Sequence, residues 1–337
     1  MTLVPPPESA DDKSAEEQST PAEEQSTPAE EQSTPAEEQS TPAIEIPVQE
    51  TVPGRRLSAR KRVLLFVAIV FPATWLIDLV NWLLGGTDNL LVFPILMILA
   101  MFVPALAAAI ILQFVTREGL RGAAVRWGRK RNIAYAYLLM LGIAVVTYGI
   151  TLAVGWGRID GDSTTLRDFL ATLGVAADIS PSILLGAVGF TILVGGVLMN
   201  SLYAFGEELG WRGFLLPSLL HIGKMKACLI SGAIWGIWHA PLILMGHLYP
   251  GHPLLGILMI TVMCVLLGVI FGWLWLSTNS IIPPIIAHAA LNAQLLAYFP
   301  SFLFADIDPL LGGGTGIIGL GVMMAVVLWL WLSGRLR

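Results

Sequence analysis

Glu207 and Glu208, followed by Arg212, sit inside a stretch that is otherwise apolar. An ionisable residue at the centre of a membrane span costs roughly 2.5 to 3.5 kcal/mol on insertion scales, so two acids and a cation placed there need partners and usually mark a function. Two further apolar runs each hold one lone ionisable group, His239 after Trp235 and His288 before Asn292. The members of each pair are four residues apart, about one helical turn, so Glu208 and Arg212, Trp235 and His239, and His288 and Asn292 each share a helix face. A carboxylate, two imidazoles and an amide could hold one water, either directly, as general base and polarising groups, or through a metal. A single buried histidine is more often a packed, hydrogen-bonded side chain. Three helices that each bring a polar group to the same membrane half make chemistry the better reading.

The elements that must position these groups are membrane helices. Hydrophobic residues make up 55% of the chain and charged residues 13%, against about 25% charged in soluble domains, and the mean hydropathy is +0.73. The expected fold is all-α, a polytopic membrane bundle of about eight helices. Eight apolar segments, near residues 63–84, 92–115, 133–155, 183–206, 226–246, 254–276, 281–299 and 315–333, each approach the ~20 residues needed to cross. Between Trp211 and Leu220 the sequence, interrupted by Pro217, predicts an amphipathic or re-entrant elbow before the fifth span. Gly206, Gly210 and Gly213 around the acids would let neighbouring helices approach closely.

Lysine and arginine accumulate on alternate connections, as the positive-inside rule requires of one topology. Arg55, Arg56, Arg60, Lys61 and Arg62 precede the first span with no cleavable leader before them. The second connection carries Arg117, Arg121, Arg126, Arg129, Lys130 and Arg131, the fourth Lys224 and Lys226, and the chain ends with Arg335 and Arg337. The other connections carry Asp88, Asp160, Asp162, Asp168, Asp178, Asp306 and Asp308 against Arg158 and Arg167. This places both termini in the cytoplasm and Glu207 at the cytoplasmic end of the fourth span. The basic second connection reads as an anchor to anionic membrane lipid rather than a nucleic-acid site.

Residues 1–54 form a separate unit, an acidic cytoplasmic tail in which Ala-Glu-Glu-Gln-Ser-Thr-Pro runs four times from Ala15 to Pro42. Each copy contains proline and no apolar seam, so the period is not a coiled coil and the tail reads as disordered. Residues 55–182 hold the first three spans, 183–300 the candidate core and 301–337 the last span and tail. Cys228 and Cys264 lie in apolar runs without metal-ligand spacing and read as small buried hydrophobes. His221, His247, His252 and Tyr249 fall in connections and read as solvated. Asp78 and Asn81, near the outer end of the first span, read as an interfacial polar pair or as part of a cavity lining.

The stretches Glu207-Glu208-Leu-Gly-Trp-Arg212, Trp235-Gly-Ile-Trp-His239 and His288-Ala-Ala-Leu-Asn292 resemble the three ordered motifs of the CPBP intramembrane proteases, which include CAAX prenyl endopeptidases and bacteriocin-processing relatives. The likeness covers roughly residues 183–300, and departs from the family pattern at Trp235, where phenylalanine is usual. It implies a helix bundle with an intramembrane catalytic cavity in which water attacks a peptide bond of a peptide or protein substrate reaching the membrane. By that likeness Glu207 is the general base, His239 and His288 orient the water or bind a metal, Asn292 bonds the oxyanion or the water, and Glu208 with Arg212 is the supporting pair. No His-Glu-x-x-His segment is present. Glu207, His239 and His288 could still supply a three-ligand zinc site, as in a metalloprotease, and a metal-free glutamate mechanism fits the same residues. The family's breadth points to the bacterial plasma membrane. The readings from other classes are a membrane transporter or proton relay, since intramembrane Glu, Arg and His also serve ion paths, and an immunity-type membrane protein without proteolysis.

Overall fold

Ser58 starts the first helix: its side-chain oxygen accepts the Lys61 N–H, satisfying a donor that has no partner within the helix. In this computed structural model the described residues are 57–160 and 180–336, except Ala124 and Gly128, with Arg167 and Ala171 alone described between the two stretches. The acidic repeat tail, and most of the connection bearing Asp162, Asp168 and Asp178, lie outside them.

The described residues are helical almost throughout. α1 is Ala59–Leu83. α2 is Val92–Ile110, prolonged by a π turn, Ile111–Val115. α3 is Lys130–Ala153. α4 is one helical run, Ser182–Ile222, with π turns at Thr191–Gly195 and Trp211–Leu215. α5, Lys224–Trp238, is followed by the short α6, Ala240–Leu244. α7 is Pro253–Thr278. α8, Ile282–Ala290, continues as a π-helical stretch, Leu291–Tyr298. α9 is Ile317–Leu332. Two-residue strands, Arg158–Ile159 and Phe304–Ala305, pair antiparallel.

Five of these, α1, α2, α3, α4 and α7, are long and apolar enough to cross a membrane. The other three expected spans are shorter apolar helices. α5 stops at His239, just before Pro241, and has 15 residues. α8 starts only at the Pro283-Pro284 pair, and α9 follows a run of glycines.

The expected elbow at Pro217 is absent. α4 continues through it: the π turn Trp211–Leu215 ends just before the α-helical segment Leu216–Leu219 that contains Pro217. The change of hydrogen-bond register at that turn spares the N–H that proline lacks, so Pro217 is tolerated within the run. Nor is the stretch amphipathic, since Trp211, Arg212, Phe214, Leu215 and Leu216 are all buried.

Glycines set the closest helix approaches. A methyl group at Gly206 would lie 2.7 Å from the Met101 carbonyl oxygen, and one at Gly210 would overlap Pro104, so α4 lies directly against α2. At Gly236 it would come within 2.5 Å of the Thr261 Cα, and at Gly232 within 2.5 Å of the Cys264 carbonyl, so α5 lies equally close on α7. Spacing small residues four apart lets backbones meet in a medium that offers no hydrophobic drive for helix association. The two contacts hold the carboxylates of α4 and the end of α5 in fixed register.

Side chains also sort the connections onto two faces. On one, the Arg62 guanidinium grips the Glu118 carboxylate and Ser280 Oγ donates to the Arg126 carbonyl at 2.5 Å. On the other, Arg158 pairs with Asp306, Thr87 Oγ1 donates to the Met245 carbonyl at 3.4 Å, and Tyr249 donates to the Thr315 carbonyl at 3.0 Å.

Candidate functional site

Four residues of α4 form the centre. Glu207 and Trp211 are one turn apart, as are Glu208 and Arg212, so the adjacent acids each have a donor on the same helix. Trp211 Nε1 donates to Glu207 Oε2 at 3.1 Å, and Trp235 Nε1 of α5 donates to that same oxygen at 2.6 Å. Two indoles therefore fix one oxygen and leave Oε1 uncommitted. Glu207 Oε1 lies 4.0 Å from His288 Nε2, too far for a direct hydrogen bond and near enough for one water to reach both.

Glu208 is used differently. Its Oε1 accepts from Arg212 at 2.7 Å and from His288 Nδ1 at 2.9 Å, while Oε2 is buried without a partner among the described residues. Glu208 and Arg212 are 0% and 1% exposed, so the pair is fully desolvated, and removing either partner would strand a buried charge. The guanidinium carbon also lies 4.5 Å from the centre of the Trp235 ring and 5.1 Å from that of Phe271 on α7, which spreads the cation over two π faces.

Both histidines have assignable tautomers. A carboxylate and a carbonyl can only accept, so His288 donates Nδ1–H to Glu208, and His239 donates Nδ1–H to the Trp235 carbonyl at 3.0 Å. When neutral, each ring then carries its free lone pair on Nε2. His239 is half-buried at the end of α5, its ring 4.7 Å from the Trp238 ring centre. Asn292, one turn beyond His288, is half-buried and has no hydrogen-bond partner among the described residues.

Glu207, His239, His288 and Asn292 all line one cavity of about 430 Å³. Glu208 and Arg212 lie behind it. The zinc set expected from the sequence is tested by these positions. Imidazoles whose Nδ1–H is anchored to an oxygen present Nε2 as metal ligands do, so the ring orientations suit a metal. The spacing does not, since among the described residues no group of three His, Cys, Asp or Glu side chains is placed to hold one.

Several residues take roles that the sequence reading did not assign. Trp235 stood in that reading as a departure from the usual phenylalanine, yet its indole N–H makes the shortest hydrogen bond to Glu207. Trp211 was unassigned, although its place one turn after Glu207 repeats the spacing of Glu208 and Arg212. Tyr249 is fully buried and not solvated, and His247 is half-buried and lines the cavity. Asp78 lines the cavity at 5% exposure, the second of the two readings its sequence position allowed, and Asn81 is buried with both side-chain polar atoms unpartnered among the described residues.

Residues 180–294 match the family described as Rce1-like, type II CAAX prenyl endopeptidase Rce1-like. A CAAX prenyl protease 2 from Methanococcus maripaludis is 29% identical over 175 residues, which are 50% of this chain and 57% of that relative. The chain thus spans little more than half the length of the curated relative it matches. The matched interval includes Glu207, Glu208, Arg212, Trp235, His239, His288 and Asn292.

Proposed function

We propose that the chain, whose matches support the CPBP family of CAAX-type membrane proteases, is an intramembrane endopeptidase that hydrolyses a peptide bond with water activated by Glu207. The observation that carries this reading is the division of labour on Glu207, with one oxygen held by two indoles and the other facing His288 across 4.0 Å. A water in that gap gives one hydrogen to Glu207 Oε1 and the other to His288 Nε2, which aims its remaining lone pairs at the cavity. As the water oxygen bonds to the scissile carbonyl carbon, its proton passes to Glu207. The Asn292 amide donates to the oxyanion, and His239 Nε2, whose lone pair can only accept, shares with His288 the task of orienting the water. Glu207 then delivers the proton to the leaving nitrogen, the C–N bond breaks, and a carboxyl and an amine terminus result. Glu208 and Arg212 act through His288, fixing its tautomer and orientation.

The donor spacing favours the metal-free glutamate form of this chemistry over a zinc metalloprotease, and no step above passes through a metal. Basic connections on one face support a bacterial plasma membrane protein with both termini cytoplasmic, its positive face against anionic lipid. The relative's name suggests a prenylated CAAX carboxyl terminus as one candidate substrate.

Purified full-length protein in detergent, given a quenched peptide library with farnesylated and unprenylated members, tests the reading. Cleavage that disappears in Glu207→Gln supports it. Flux through proteoliposomes with no cleavage would instead favour a transporter or proton relay. Zinc at one per chain in the active wild type, lost in His239→Ala and His288→Ala, would overturn the metal-free form.

A further inference from the structure

The cavity occupies one half of the bundle only. Glu207 is the last residue of α4 to line it and His288 the first of α8. Because α4 runs toward the Arg62, Glu118 and Arg126 face and α8 runs away from it, these two groups form the floor. The lining then continues toward the opposite face, through Asp78 late in α1, Met97 early in α2 and Ala297 late in the α8 run, and it takes His247 and Leu248 from the connection before α7. Among the described residues, none of the lining comes from the connections 116–129 or 220–223.

The two faces differ sharply in charge. The closed face carries Arg60, Lys61, Arg62, Arg117, Arg126, Arg129, Lys130, Arg131, Lys224 and Lys226, with Glu118 as the acid among them. The face toward which the cavity extends carries Asp88, Asp160, Asp306 and Asp308, with Arg158 and Arg167 as the bases among its described residues. Lysine and arginine near span ends are retained in the cytoplasm during insertion, whereas acids contribute little. Charge thus orients the bundle and the cavity's position within the bundle gives its side.

We propose that the cavity is loaded from the non-cytoplasmic side, so that the substrate is a polypeptide segment at the outer surface or outer leaflet of the membrane, such as an exported or surface-anchored peptide. This rests on the hydrolytic reading above and narrows its substrate. A carboxyl terminus prenylated in the cytoplasm would arrive at the closed, basic face. The walls suit an apolar stretch of variable sequence, because Met97, Met101, Met199 and Met263 line them and unbranched thioethers repack around different side chains.

Two measurements test the side. Right-side-out spheroplasts bearing the full-length protein should cleave a membrane-impermeant peptide that the detergent-solubilised enzyme cleaves, and sealed inside-out vesicles should cleave it only after permeabilisation. The reverse pattern overturns the proposal. Independently of any activity, Leu248→Cys, in the cavity lining, should react with a membrane-impermeant maleimide in intact cells, and the exposed Arg129→Cys only after lysis. The native cysteines are both buried and free, so they add little background. Labelling of Arg129→Cys in intact cells, or of Leu248→Cys only after lysis, would sink the inference. If the solubilised protein cleaves nothing, the hydrolytic reading fails while the labelling still decides the side.

Discussion

His288 donates its Nδ1 hydrogen to Glu208 Oε1 across 2.9 Å, so the acid that neutralises Arg212 also sets the tautomer of the histidine facing Glu207. The two adjacent glutamates are therefore coupled through His288, although their side chains point to different partners. Glu207 serves the cavity, and Glu208 serves the structure behind it.

That coupling separates two substitutions. Glu207→Gln keeps the shape and an oxygen that both indoles can reach, so the thermal midpoint in detergent should stay near wild type while cleavage vanishes. Glu208→Ala leaves the Arg212 cation buried without its carboxylate, which costs about 3 to 5 kcal/mol, and frees the His288 ring as well. It should lower the thermal midpoint and the activity together. Equal midpoints for the two variants would contradict the division of roles.

Trp235→Phe isolates a single hydrogen bond. The phenyl ring retains a π face for Arg212 and loses the N–H that reaches Glu207 Oε2 at 2.6 Å. A hydrogen bond to a charged group is worth about 1.5 to 3 kcal/mol, so kcat should fall roughly 10- to 100-fold with KM little changed. Trp238→Phe is the control, because its indole nitrogen is buried with no partner among the described residues. A similar kcat loss in both variants would show that ring size, not the N–H, is what matters.

Asn292→Ala removes an amide that makes no hydrogen bond among the described residues yet lines the cavity. If that amide stabilises the oxyanion, kcat should drop about 10²- to 10³-fold, as for an oxyanion donor elsewhere, with no loss of thermal stability. A fall in stability without a kcat effect would make Asn292 a packing residue.

The three polar helices, their order and the close approach at Gly206 and Gly210 were legible in the sequence because lone charges and small residues stand out against an apolar background. Face-sharing at four-residue spacing also anticipated the Glu208 and Arg212 pair. The continuity of α4 through Pro217 was not legible, since hydropathy does not reveal a π turn that resets the hydrogen-bond register just before a proline. Trp211 and Trp235 were hidden for another reason. In an apolar run an indole counts as one more hydrophobe, and only coordinates show which one aims its N–H at a carboxylate. Tyr249 and His247 were misjudged because a connection between spans reads as solvent-exposed, whereas this one folds in over the cavity.

Helix approach gives a prediction about placement rather than chemistry. Gly236→Ala puts a methyl 2.5 Å from the Thr261 Cα, which is backbone and cannot rotate away, so α5 must move off α7. Overpacking of this kind costs roughly 1 to 3 kcal/mol, and His239 lies only three residues further on. Stability and kcat should both fall. Gly149→Ala in α3, where a methyl would meet nothing within 4 Å, should change neither, and an equal fall there would mean that helix glycines matter for some reason other than close approach.

Asp78 supplies a case in which stability and function should part. The residue is 5% exposed, and among the described residues no cation or hydrogen-bond donor pairs with its carboxyl group. A buried carboxyl group without a partner is destabilising, so Asp78→Asn should raise the thermal midpoint of the detergent-solubilised protein. The same group faces the cavity that also holds Glu207 and His288, where an incoming backbone amide or ammonium group would find it. KM should therefore rise, with kcat nearly unchanged, because Asp78 would hold the substrate without touching the reacting water. A lower midpoint would reveal a structural partner for Asp78, and an unchanged KM would remove it from the binding surface.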